Sequence, residues 1–124
     1  MSKNESAVGT DYCCIPLAAA PLSEGHAIDL ARGFKALSDP VRLRLLSLIA
    51  SFPGGEACVC NLTEAFDLTG PTISHHLRVL RETGLVTSER RGTWIYYQVE
   101  PDRLAALSSL LQVPARTDPV AVCG

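Results

Sequence analysis

Two sets of residues in this 124-residue chain have the types and spacing to do chemistry. The first is sulfur: Cys13-Cys14, Cys58-Val59-Cys60 and a near-terminal Cys123. The opening residues MSKNESAVGT lack the charged-then-apolar pattern of a secretory leader, so a reducing, cytoplasmic setting is expected. Cysteines in that setting serve as ligands or reactive thiols rather than as disulfides. The second set is polar and basic: Thr72, Ser74, His75, Arg78 and Arg81, followed by Arg90 and Arg91. Hydroxyls and imidazoles can bond to base edges, and arginine can bond to guanine or to phosphate. His75 and His76 make a poor metal pair, because adjacent residues on a helix point about 100° apart.

The second set needs a helix and a hairpin to position it. Ile73, Leu77 and Leu80 stand four and three apart, which is one buried helical stripe. Thr69 or Gly70 can cap that helix, Pro71 suits its first turn, and Gly84 is its stop. Thr72, Ser74, His75, Arg78 and Arg81 lie off the stripe, mostly toward the N-terminal half, as in a recognition helix that enters a major groove. Two strands are predicted next, Leu85–Ser88 and Trp94–Val99, joined by a turn over Glu89–Gly92. Trp94, Tyr96 and Gln98 would share one face, and Ile95, Tyr97 and Val99 the other. Arg90 and Arg91 would sit at the hairpin tip and reach the DNA backbone or minor groove. Helix, glycine stop and hairpin describe a winged helix-turn-helix.

The rest of the chain supplies the frame. Residues 1–22, interrupted by Pro16 and Pro21, read as a flexible arm carrying Cys13 and Cys14. A helix-turn-helix and dimerisation domain is expected over 23–113, and a disordered tail over 114–124. Ser23 caps a first helix with a stripe of Ala27, Leu30, Ala31, Phe34 and Leu37; Asp39 and Pro40 start a second, packed through Val41, Leu45, Leu48 and Ile49. Phe52-Pro53-Gly54-Gly55 breaks it. A short third helix is predicted over roughly Val59–Phe66, and a last one begins at Pro101-Asp102. The last helix carries Leu104, Leu107, Leu110 and Leu111, more apolar surface than so small a domain can cover. Pairing of the first and last helices between two subunits would bury it and place two recognition helices on successive grooves. The expected fold is therefore mostly α with a small β-hairpin, as a homodimer.

Composition narrows the function classes. No apolar run approaches the roughly 20 residues that cross a bilayer, so no membrane partner is expected. The net charge of −2 hides a local surplus, since residues 71–94 hold four arginines against two glutamates, a balance of +2. Binding to double-stranded DNA should be moderate and strongly salt dependent. An enzyme, such as a small arsenate or disulfide reductase, is not expected. There is no C-x-x-C, no phosphate loop and no alternating βαβ pattern.

Four segments in order, FKALSDPVRLRLL, EACVCNLTEAF, PTISHHLRVLRETGLV and RRGTWIYYQV, make the chain resemble the ArsR/SmtB metalloregulatory repressors from about Leu30 to Leu111. The resemblance implies a homodimeric winged-helix repressor that leaves its operator when a metal or metalloid binds. It implies that Cys58 and Cys60 supply thiolates to a soft ion, in keeping with the preference of soft ligands for soft ions. Arsenic(III) or antimony(III) is the inducer expected first, held by Cys58, Cys60 and one arm cysteine, Cys14 before Cys13. Cadmium or lead held by all four cysteines is the alternative, and thiol oxidation without a metal is another. Zinc or nickel sensing is disfavoured, because the last helix offers Asp102 and no histidine. Cys58 and Cys60 would point about 200° apart on an ideal helix, so joint ligation is expected to need a first turn that is unwound or has not formed. Gly70 departs from the family pattern, which often has a polar residue there.

Overall fold

The computed structural model describes residues 16–114; Cys13, Cys14 and Cys123, and with them most of the expected arm and tail, lie outside the described residues. Helix α1 (Glu24–Leu37) is capped by Ser23, whose hydroxyl accepts from the His26 N–H at 3.1 Å. Helix α2 (Pro40–Ser51) is capped by Asp39, whose Oδ1 accepts from the N–H groups of Val41 and Arg42 at 2.8 and 3.2 Å. Burial pushes the Asp39 pKa up, but those two N–H groups and the Arg42 charge outweigh it and hold the carboxyl below its usual value. After the turn Pro53–Gly55 come strand β1 (Glu56–Cys58), helix α3 (Val59–Ala65) and helix α4 (Gly70–Glu82). Strands β2 (Val86–Arg91) and β3 (Trp94–Val99) follow, then helix α5 (Pro101–Leu110).

The sheet is antiparallel throughout, in the order β1-β3-β2. Strand β1 was not expected. It has three residues and pairs with β3, some forty positions later, through Glu56 opposite Gln98 and Cys58 opposite Tyr96. The hairpin also differs from expectation. Strand β2 runs on through Arg91, so the loop is only Gly92-Thr93, and both arginines lie on the strand. Gly92 has φ 65°, which suits the first position of a two-residue type II′ loop. The charges of this strand end suit a turn, but pairing with the strongly β-prone Trp94-Ile95 carries it into the ladder.

One core joins the helices to the sheet. Leu45 and Ile49 of α2, Leu62 of α3, Ile73, Leu77 and Leu80 of α4, and Leu85 are 0% exposed. Tyr97 is buried and Ile95 and Val99 are half-buried on the core face of β3, while Trp94 stays 52% exposed. The stripe expected on α1 is shifted. Leu30, Gly33 and Ala36 are buried, whereas Ala27 and Ala31 are exposed. Gly33 allows close packing, since a Cβ there would stand 3.1 Å from the Leu107 side chain. The leucines of α5 need correction for the same reason. Leu107 and Leu110 are buried within this chain and Leu104 is half-buried, so the close α1–α5 approach consumes most of that stripe. Ile28 on α1 and Leu111, just after α5, remain 56% and 60% exposed.

Candidate functional site

Two surfaces emerge, and α3 connects them. The first is the outward face of α4. Thr69 is its N-cap, and its hydroxyl accepts from the Thr72 N–H at 3.3 Å. With Ile73, Leu77 and Leu80 wholly inside, Thr72, Ser74, His75, Arg78 and Arg81 are all exposed. Thr72 is partly engaged, its hydroxyl 2.8 Å from that of Thr69. His75 lies with its ring centroid 5.4 Å from that of His76, whose Nδ1 is 3.2 Å from Nη1 of Arg42. His76 therefore ties α4 to α2 while His75 stays accessible. Gly70 has open space where a side chain would project, so the helix start is uncovered there.

On the wing the two arginines part company. Arg90 is exposed on β2. Arg91 donates to both carboxylate oxygens of Glu56, at 3.2 and 2.7 Å, and to Glu89 at 2.9 Å, and it lies 4.5 Å over the Tyr96 ring. Gln98 adds a bond to Glu56 Oε1 at 2.8 Å. The bonds from Arg91, then that from Gln98, pull the Glu56 pKa below its usual value, and Arg91 is held still more firmly protonated. This clasp joins β1 to both wing strands. Glu56 and Gln98 were missed from sequence. The only signal was the alternation of Glu56, Ala57 and Cys58 just before a helix start, and it is too short to distinguish from a loop.

The second surface is the sulfur corner. Cys58 is the last residue of β1 and the N-cap of α3, with extended φ/ψ of −72° and 146°. Its Sγ accepts from the Cys60 N–H at 3.3 Å and from the Cys60 thiol at 2.7 Å. Both cysteines are free; Cys58 is buried and Cys60 is half-buried. The bond to Cys58, then burial and the Cys58 charge, push the Cys60 pKa above its usual value. The expected opposition of the two side chains does not arise. Because Cys58 stands outside the helix, the 100° rotation per residue does not govern it, and both sulfurs converge with α3 fully wound. Two thiolates on one tetrahedral ion at about 2.3 Å would stand about 3.8 Å apart, a small opening from the separation found. Among the described residues no group of three or more His, Cys, Asp or Glu comes together as a metal site. This corner thus presents two soft donors.

A three-stranded wing behind an exposed polar helix is the architecture of a winged helix-turn-helix reader, and the sequence comparison agrees. Residues 39–88 match the model of the arsR family of bacterial regulatory proteins. The arsenical resistance operon repressor of Bacillus subtilis is 40% identical over 76 residues, covering 61% of this chain and 70% of that protein. The chain belongs to the arsR family. The arsenic resistance transcriptional regulator ArsR1 of Pseudomonas putida is 48% identical over 69 residues. That match covers 56% of this arsR-family chain and 52% of ArsR1, so the chain spans about half the length of that relative. Among solved structures, a homodimeric winged helix-turn-helix DNA-binding domain from Mycobacterium bovis superposes with a TM-score of 0.58 at 32% identity. It covers 72% of this chain and 83% of the other. These relatives are regulators, not enzymes. No helix among the described residues of this arsR-family protein is long and apolar enough to cross a membrane.

Proposed function

We propose that this chain is a homodimeric transcriptional repressor that holds operator DNA and releases it when arsenic(III) or antimony(III) binds its cysteine thiolates. The observation that carries the reading is the convergence of Cys58 and Cys60, 2.7 Å apart, at the start of the helix preceding the reader. Thr72, Ser74, His75 and Arg78 face base edges, while Arg81 and Arg90 take phosphates. Arg91 serves the wing chiefly by orienting it, since its guanidinium is already held by Glu56 and Glu89. Ile28 and Leu111 contribute to the subunit contact.

Trivalent arsenic or antimony supplies three sulfur-seeking positions in a pyramid, of which Cys58 and Cys60 fill two. The third falls to the arm, 1–22, through Cys14 before Cys13. Release does not require unwinding of α3. Cys58 ends β1, which is paired to β3 and clasped to Arg91, and it also caps α3, which packs on α4. A displacement of Cys58 therefore reaches the wing and the recognition helix together.

The test is fluorescence anisotropy of the reduced dimer on its own upstream DNA, titrated separately with arsenite and cadmium at two pH values. Arsenious acid and three thiols condense to a tris-thiolate and three waters, with no net proton released. Cadmium displaces thiol protons, so its binding weakens as pH falls. Release by arsenite near one equivalent per subunit, nearly independent of pH, is expected. Cys58→Ser and Cys60→Ser should each bind DNA and fail to let go. Release by cadmium alone would transfer the reading to a four-sulfur sensor, and metal-free release by peroxide would transfer it to a thiol switch.

A further inference from the structure

Helix α4 has a second polar flank beside its reading face. His75, Val79 and Thr83 recur every four residues and form one row that faces α1 and the start of α2 across a cleft of about 430 Å³. The opposite wall carries Arg32, Lys35 and Arg42. Arg42 is engaged. Its Nε donates to the Ala36 carbonyl at 2.7 Å, and its Nη1 lies 3.2 Å from His76 and 3.9 Å from Asp39. Arg32 and Lys35 are exposed and form no ion pair with any described residue. Arg32 also borders an adjoining cleft with Asp29 and Glu82, where the Asp29 carboxylate is taken by Arg103 at 2.9 Å.

The charge balance gives these two cations a purpose. The chain is net negative, and of the four arginines on α4 and the wing, Arg91 is held by two carboxylates. Arg78, Arg81 and Arg90 are left, a thin supply for a duplex with one charge per roughly 1.7 Å of axis. We propose that Arg32 and Lys35 form a phosphate-binding groove continuous with the recognition helix. The DNA backbone is then held from α1 as well as from α4. Their long stems and their distance from the start of α4 suit phosphate rather than base contacts. The inference rests on the DNA-binding reading given above.

The experiment compares the full chain with its Arg32→Ala/Lys35→Ala variant by anisotropy, on the operator and on an unrelated duplex, from about 50 to about 200 mM salt. Two lost phosphate contacts in each subunit, four in the bound dimer, should make the slope of log K against log salt shallower by about 4. Over that range the salt-driven loss of affinity would be about 150-fold smaller than for the unaltered protein. The weakening should be similar on both duplexes, and Arg32→Lys should retain the original slope. An unchanged slope in a protein that binds its operator would overturn the groove and leave the repressor reading intact. Weakening confined to the operator would overturn it too, by assigning these residues to sequence reading. Failure of the unaltered chain to bind either duplex would remove the repressor reading and the groove together.

Discussion

Helices α3 and α4 are consecutive, but they are built to opposite standards. Helix α4 has thirteen residues, a threonine cap, a glycine stop with φ 81°, and three side chains wholly inside the core. Helix α3 has seven residues, a thiol for a cap and Leu62 as its single buried anchor. Sulfur accepts hydrogen bonds weakly, and a helix of under two turns cannot sustain itself. On the function proposed above, a reading helix must present the same face to every operator, whereas a helix that reports ligand binding must yield to it. The contrast says that rigidity belongs to the reader and compliance to the sulfur corner.

The largest expected effect tests the rigid half. Leu77→Ala should destabilise the fold by about 2–5 kcal/mol, read from the urea midpoint, because the removed side chain leaves a cavity beneath α4. A cost under about 1 kcal/mol would show that α4 is not the stiff element described. Next, hydrogen exchange should distinguish the two helices directly. Amides of α3 should exchange at least about tenfold faster than the central amides of α4, because short, weakly anchored elements open locally. Equal protection would break the contrast.

Smaller effects sharpen it. Thr69→Ala should cost about 1 kcal/mol through the lost cap bond to Thr72, while Cys58→Ser should leave stability nearly unchanged, since serine caps at least as well as a thiol. Calorimetry on both variants checks this. The smallest effect is one of pH. Glu56 titrates below its unfolded value of 4.5, so the stability from its clasp is fully present above that pH and is lost as pH falls through the lower folded value. Glu56→Gln should flatten this acid limb in a urea series and should loosen β1 at neutral pH.

Much of the reader could be read from residue order. The stripe of Ile73, Leu77 and Leu80, the stop at Gly84, the cap at Asp39 and the face of β3 bearing Ile95, Tyr97 and Val99 all stand where periodicity and capping chemistry put them. Each depends on residues at most a few positions apart. Less was legible at the sulfur corner, since the helical opposition expected of Cys58 and Cys60 is removed by the pairing of Glu56–Cys58 with a strand forty positions later. The wing arginines illustrate the same limit: one strand holds both, but a carboxylate brought in by β1 occupies only Arg91.

The sequence by itself determined the helices, the hairpin faces and which residue types could meet DNA or a soft ion, because periodicity, caps and glycine stops act locally. Only the tertiary structure decided where the two sulfurs converge, which arginines stay free and which leucines the monomer keeps. Those outcomes depend on contacts between distant segments, and a local pattern carries no information about what the rest of the chain will bring against it.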